Sequence, residues 1–184
     1  RRTTQLNIRK VIGDFHEGGY IFKFSNNTDL SGGAWVVRDT DESDSLWGCN
    51  GQTISYTSQL LSASNNLTTT IDNECSSTGT NCAADLAVNA NHGGYTDWAL
   101  PALNGLSLLD TKLGYQATGV NSSGTPLDNL VGLYDGSSNE VYWSSTQSYS
   151  LPNNYAFTYN FFTNGTGSVG KGLARRVRLI RYTN

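Results

Sequence analysis

The sequence predicts an α+β fold of short antiparallel sheets with two or three helices and long loops, and three patterns carry that reading. Tyr155, Phe157, Tyr159 and Phe161 alternate with period two, which places four aromatic rings on one face of a strand. Leu103, Leu106, Leu109 and Leu113 recur at three- and four-residue steps after Pro101, the spacing of one buried helical stripe. Between such segments lie stretches rich in Gly, Asn and Ser, the longest over residues 114–139, where Pro126 adds a further break.

In chain order, residues 1–12 read as an extended arm, with Leu6 and Ile8 alternating against polar neighbours ahead of Val11 and Ile12. Residues 13–184 follow as one folded domain. Gly18-Gly19 punctuates before a strand at Tyr20-Ile21-Phe22-Lys23-Phe24, and a turn at Asn26-Asn27-Thr28-Asp29 precedes a second at Ala34-Trp35-Val36-Val37-Arg38; together they read as a hairpin with a long connection. The acidic run over residues 39–44 reads as a solvated loop, since its oxygens lack the spacing of an EF-hand calcium site.

Leu60, Leu61, Ser64, Leu67 and Ile71 predict one or two short helices over residues 55–73, interrupted at Asn65-Asn66. Ala83, Ala84, Leu86, Ala87 and Val88 predict another over residues 82–89. The third helix follows Pro101 and stops at Gly114; Gly105 inside it costs on the order of 1 kcal/mol relative to alanine, which packing has to offset. Strands return over residues 141–145, 154–161 and 174–182, with turns at Asn164-Gly165 and Gly170-Lys171-Gly172.

Length and composition exclude several function classes. The 184 residues suit a single core, and with charged residues at 15% and a net charge of −3 the chain does not read as a nucleic-acid binder. No apolar run approaches the roughly 18 residues of a membrane span, so no direct insertion is expected. The start at Arg1-Arg2-Thr3 and the absence of Met are expected of a piece of a longer protein. Cys75 and Cys82 flank Ser-Ser-Thr-Gly-Thr-Asn, a flexible segment able to close a small disulfide ring, which points to a secreted or cell-surface, oxidising location. Cys49 is left to pair with either of them or to stay reduced. His16 and His92 lie far from any paired-cysteine spacing, so neither zinc nor another metal or cofactor is expected.

No motif assembles catalytic groups. Ser144 and Ser145 lack a nucleophile elbow and a His-Asp partner pair, and His92 beside Gly93-Gly94 reads as a loop histidine. Trp98, Pro101 and Trp143 read as structural, with Asp97 fixing the loop beside Trp98. Exposed loop rings and amides are the candidates for ligand contact: Tyr115, Tyr134, Asn139, Tyr149, Asn153 and Asn154. Lys171, Arg176 and Arg178 are a second candidate set, able to grip sulfate or carboxylate; the competing reading has the arginines in salt bridges to the acidic run.

Four segments in order carry a family resemblance: Gly18-Gly19-Tyr20-Ile21-Phe22, Gly93-Gly94-Tyr95-Thr96-Asp97-Trp98-Ala99-Leu100-Pro101, Tyr142-Trp143-Ser144-Ser145-Thr146 and Arg176-Val177-Arg178-Leu179-Ile180-Arg181. Over residues 11–182 the chain resembles the C-terminal domain family of the Legionella collagen-like adhesin. The resemblance implies a C-type-lectin-like fold at the end of a secreted or surface fibre, forming homotrimers and binding glycans or protein receptors without catalysis. Ala102-Leu103-Asn104-Gly105-Leu106 departs from the polar cap and acidic residue frequent after Leu-Pro in that family, and the 114–139 loop is long for it, so ligand preference does not carry over. Alternatives are a structural cap or trimerisation domain without a ligand, and an enzyme on the related fold of formylglycine-generating oxidases. The latter needs a reactive cysteine pair near the C-terminus, whereas no cysteine follows Cys82.

Overall fold

A computed structural model describes residues 9–26, 28–75, 82–137 and 140–184. Most of the 1–12 arm, Leu6 and Ile8 included, and Asn139 lie outside the described residues. The architecture is α+β, with two small antiparallel sheets and three α-helices. The first sheet has the order β1-β2-β3-β7, from Phe15–His16, Gly19–Phe24, Ala34–Val37 and Ile180–Thr183. The expected hairpin pairs Tyr20 with Val37 and Phe24 with Ala34. The C-terminal strand closes on it, Ala34 opposite Thr183 and Val37 opposite Ile180.

The second sheet runs β4-β5-β6, from Val141–Gln147, Tyr155–Asn160 and Gly165–Gly170. β6 falls where turns were expected. Glycines at 165, 167 and 170 weaken strand propensity, but this edge strand has only one neighbour to match, and Gly167 lies opposite Thr158 with that side chain's hydroxyl against it.

Helix α1 covers Ser64–Cys75, α2 Ala83–Val88 and α3 Leu103–Leu113. α1 continues from a 3-10 turn at Leu61–Ala63, so Asn65-Asn66 does not interrupt it; both asparagines lie on its exposed side while Leu67 and Ile71 face inward. α3 buries the predicted Leu103, Leu106, Leu109 and Leu113. Gly105 is there because the helix passes close to its neighbours: a methyl at that position would lie 3.1 Å from Leu61 Cδ1 and 3.4 Å from Pro101 Cβ.

Two apolar clusters make up most of the core. One gathers Trp47, Trp98, Trp143, Ile71 and the three cysteines; the other gathers Phe22, Trp35, Leu106, Leu109, Leu113, Tyr142, Tyr159 and Phe161. The indoles of Trp47 and Trp143 each bond to the backbone of the other's segment, Trp143 Nε1–H to Ser45 O at 2.8 Å and Trp47 Nε1–H to Ser144 O at 2.7 Å. Ser145 N–H donates to Pro101 O at 2.9 Å and Leu103 N–H donates to Thr146 Oγ1 at 3.1 Å, so the Trp98-to-Pro101 and Trp143-to-Thr146 segments interlock. Trp98, Pro101 and Trp143 are therefore framework residues, each buried.

The final segment is strand over Ile180–Thr183 only, shorter than expected. Upstream of it the chain runs from one sheet to the other. Trp143 N–H donates to Arg176 O at 3.0 Å, Glu42 N–H to Val177 O at 2.9 Å and Arg38 N–H to Leu179 O at 3.1 Å, leaving single bridges in place of a ladder.

The expected Cys75–Cys82 disulfide is not formed; the disulfide is Cys49–Cys75, and Cys82 is a buried free thiol. Cys82 is the N-cap of α2, its sulfur accepting from Asp85 N–H, while Ala83 N–H is tied to Leu46 O at 2.8 Å. Cys49 arrives from the other side behind Gly48, whose φ of +98° has no room for a side chain: a Cβ there would lie 2.8 Å from Cys82 Cβ and 3.0 Å from Cys75 Cβ. Packing, rather than the short sequence interval, selects the partner. No described helix is long and apolar enough to cross a membrane.

Candidate functional site

Of the loop residues selected from sequence, Tyr115 and Tyr134 come together, with ring centroids 4.6 Å apart. Phe162 completes the group, its ring nearly parallel to Tyr134 at 6.0 Å. Tyr115 and Phe162 remain 52% and 51% exposed, enough for both rings to offer a surface to solvent.

Two loops, the one after α3 and the one between β5 and β6, are held to make this platform. Tyr115 follows Gly114 at the end of α3, and Asn129, with a positive φ of 50°, donates its backbone N–H to Gly114 O at 2.8 Å. The Asn129 side chain also clamps Tyr134, its Nδ2 donating to Tyr134 O at 2.6 Å and its Oδ1 accepting from Tyr134 N–H at 2.8 Å. On the loop between β5 and β6, Asn160 Oδ1 accepts from the backbone N–H groups of Phe162 and Thr163 at 2.8 and 2.9 Å. Such side-chain-to-backbone bonds fix a loop without regular structure. On α3, Asp110 Oδ2 accepts from Tyr159 O–H at 2.7 Å, and burial pushes the Asp110 carboxyl above its usual range.

Polar groups border the platform beside Tyr134. Arg176 donates to Asp135 Oδ2 at 2.6 Å, and this bond holds the Asp135 carboxyl well below the ordinary carboxylate range while raising Arg176. Ser137 N–H donates to the other Asp135 oxygen at 2.9 Å. Glu140, fully buried, accepts from the N–H of Asp135, and burial raises its carboxyl. The edge of the platform thus offers one ionised carboxylate and one guanidinium in fixed positions.

Arg178 and Lys171, proposed from sequence as anion ligands, are buried and leave that set. Arg178 Nε sits 2.5 Å from Asp41 Oδ1, and its NH1 donates to Arg38 O at 2.9 Å and Val131 O at 2.6 Å. Asp41 also accepts from Tyr142 O–H at 2.9 Å, and Glu42 pairs with Arg38 and lies 2.8 Å from His92 Nε2, so the acidic run is in part a structural counter-charge rather than a solvated loop. Arg181 is held bidentately by Asp97 at 2.7 and 3.0 Å, which is how Asp97 fixes its loop.

Lys171 Nζ donates to Gln52 O at 2.8 Å and lies 4.4 Å from the centre of the Trp47 ring. Burial lowers its pKa to about 8. The unfolded chain keeps that proton up to 10.5, so unfolding takes up a proton between those values and stability rises with pH across that window. Tyr142, raised to about 12 mainly by burial, acts in the opposite sense above 10, as its contribution is lost when pH climbs toward the folded value. Denaturant unfolding at about pH 8 and about pH 9 is expected to show greater stability at the higher pH, and Lys171→Met is expected to reduce that gain. An equal gain in the variant would assign it to other groups.

The remaining candidates form a separate surface. Tyr149 is exposed, with its ring edge-on to Phe157 at 5.7 Å. Asn153 accepts from Gly51 N–H at 2.9 Å through its carbonyl and from the Thr53 hydroxyl through its side chain. Asn154 lines an open recess of about 500 Å³ with Asn50, Tyr155 and Leu173. The sequence did not single out Phe162, which follows Phe161 at the end of an alternating strand; its one local signal is the Asn160 turn two residues earlier. No cluster of three or more metal-binding side chains occurs among the described residues. No protein-family model matches this chain, and no curated protein matches it.

Proposed function

We propose that this chain is a non-enzymatic recognition domain of C-type-lectin-like fold, displayed outside the cell at the end of a homotrimeric surface fibre, and that it holds a glycan on the Tyr115–Tyr134–Phe162 platform. The observation that carries this reading is the ring group itself: three aromatic side chains from two loops, two of them half exposed, with their backbones clamped by Asn129 and Asn160. Sugar rings present C–H faces that stack on such surfaces, and preorganised rings lose little conformational entropy on binding. The Asp135–Arg176 pair beside them supplies acceptors and donors for hydroxyl groups.

Two further facts support the setting. The Cys49–Cys75 disulfide is of a kind that persists in oxidising compartments. The order of the four segments over residues 11–182 resembles that of the collagen-like adhesin domain family, and two of those segments interlock in the core. A glycan array probed at low and at physiological salt, with the mass of the same sample measured by light scattering, tests the proposal. The expected result is a trimer with hits that persist at physiological salt, because stacking is little screened. A trimer without hits would favour a protein receptor or a structural cap, and a monomer would remove the fibre-end reading.

A further inference from the structure

A second cleft shares α3 with the ring platform but none of the platform's residues. Residues 9–12, β2 and α3 enclose a volume of about 570 Å³. Its floor is Val11, Ile12, Phe22, Phe24 and Leu108, and its rim carries Arg9, Lys10, Lys23 and Lys112 with no Asp or Glu among the lining residues.

The distribution of positive charge makes this cleft unusual within the molecule. Arg38, Arg176, Arg178 and Arg181 each sit on a carboxylate, and Lys171 is buried over Trp47. Arg9, Lys10, Lys23 and Lys112, in a chain of net charge −3, form no salt bridge among the described residues and converge on one opening. Arg9 and Lys10 are braced on backbone carbonyls, at Thr28 O and Phe15 O. Asp14, held by Val11 N–H and Ser122, and Asp29, which caps Ser31 N–H, attract Lys10 and Arg9 without forming a salt bridge, and no such neighbour faces Lys23 or Lys112 in the cleft lining. Four like charges gathered this way repel one another, and an anion in the opening relieves that repulsion.

We infer that this cleft binds an amphiphilic anion, a small molecule with an aliphatic or aromatic body and one carboxylate, sulfate or phosphate group. Its volume and its apolar floor with a few polar groups match small-molecule sites. A polyanionic sugar is the poorer fit, because Phe22 and Phe24 are buried and present no ring face for stacking, and a polyanion has no use for the apolar floor. The ammonium groups of Lys23 and Lys112 would meet the head group, and Leu108 would meet the body.

Titration of the full chain with decanoate, below its micelle concentration, tests this by calorimetry, with octyl glucoside, acetate and heparin as comparison probes. Decanoate is expected to bind saturably and more tightly than either octyl glucoside or acetate. Lys23→Glu/Lys112→Glu is expected to weaken it about tenfold or more, and Leu108→Trp, which fills the floor while keeping all four cations, is expected to weaken it by a similar factor. Unchanged melting temperatures and circular dichroism identify the variants as folded, and a Lys23→Arg/Lys112→Arg chain keeps the charge and is expected to retain binding. Decanoate binding no tighter than acetate, binding equal to octyl glucoside, heparin binding that only the lysine changes weaken, or an unaltered decanoate affinity in both variants would each overturn the inference. Because the cleft shares no residue with the ring platform, none of these results bears on glycan binding there.

Discussion

Replacing Arg178 by methionine is expected to destabilise the chain by about 3 kcal/mol, because several acceptors lose their donor at once, although Asp41 is only partly buried and keeps Arg176 at 3.9 Å. Asp41 would lose its 2.5 Å partner while still accepting from Tyr142 O–H, and the carbonyls of Arg38 and Val131 would lose their donor. The consequence extends beyond stability, since Arg178 holds Val131 O and Gly132 O just before the Tyr134 loop. Arg176→Ala, in contrast, removes a half-exposed pair and is expected to cost less than about 1 kcal/mol. Urea unfolding of the two variants side by side checks this. A mild effect for Arg178→Met would mean that the cluster does not carry the joint between the sheets and that Arg178 is spare for another role.

Removing the disulfide with Cys49→Ala/Cys75→Ala is the second large change. For a sequence separation of 26 residues, loss of the cross-link restores unfolded-chain entropy equivalent to about 3 to 4 kcal/mol. In a chain of this length that corresponds to a fall in melting temperature of roughly 10 °C. Peptide mapping under non-reducing conditions is expected to recover Cys49 linked to Cys75, with Cys82 alkylated only after denaturation, since that thiol is buried and its burial raises its pKa. Recovery of a Cys75–Cys82 peptide from the native protein would contradict the packing around Gly48.

The parts of the fold legible in the sequence were those governed by local periodicity. The leucine stripe of α3 depends on one face meeting a core and formed where the pattern placed it; β5 also formed there, but its alternating rings do not mark one buried face, since Tyr155 is exposed, Ala156 and Thr158 are buried, and Phe161 lies past the strand's end. β6 was not legible, because an edge strand with three glycines has no hydrophobic alternation and is held by its register against β5. The cysteine partner was not legible either, because Gly48 brings Cys49 to Cys75 from 26 residues away, while Cys82 is occupied in capping α2.

The candidate site divides along the same line. Composition singled out Tyr115 and Tyr134 as loop rings, and the structure sets them side by side through Asn129, which bonds to the backbone of Gly114 and of Tyr134. Charge type alone singled out Lys171, Arg176 and Arg178, yet only Arg176 borders the rings, because the other two are consumed by long-range contacts to Gln52 and to Asp41. Phe162 becomes visible only when β5 is placed beside the 114–139 loop, a tertiary relation without local signal.

The most direct measurement is the affinity of the strongest array glycan for a Tyr115→Ala/Phe162→Ala chain, determined by calorimetry beside the parent. Both rings are half exposed and their backbones are held by neighbouring asparagine and glycine contacts, so the change is expected to leave the melting temperature within a few degrees. Loss of two stacking rings is expected to weaken binding by about tenfold or more. An affinity unchanged in the folded variant would place recognition elsewhere on the surface and contradict the ring platform as the binding site.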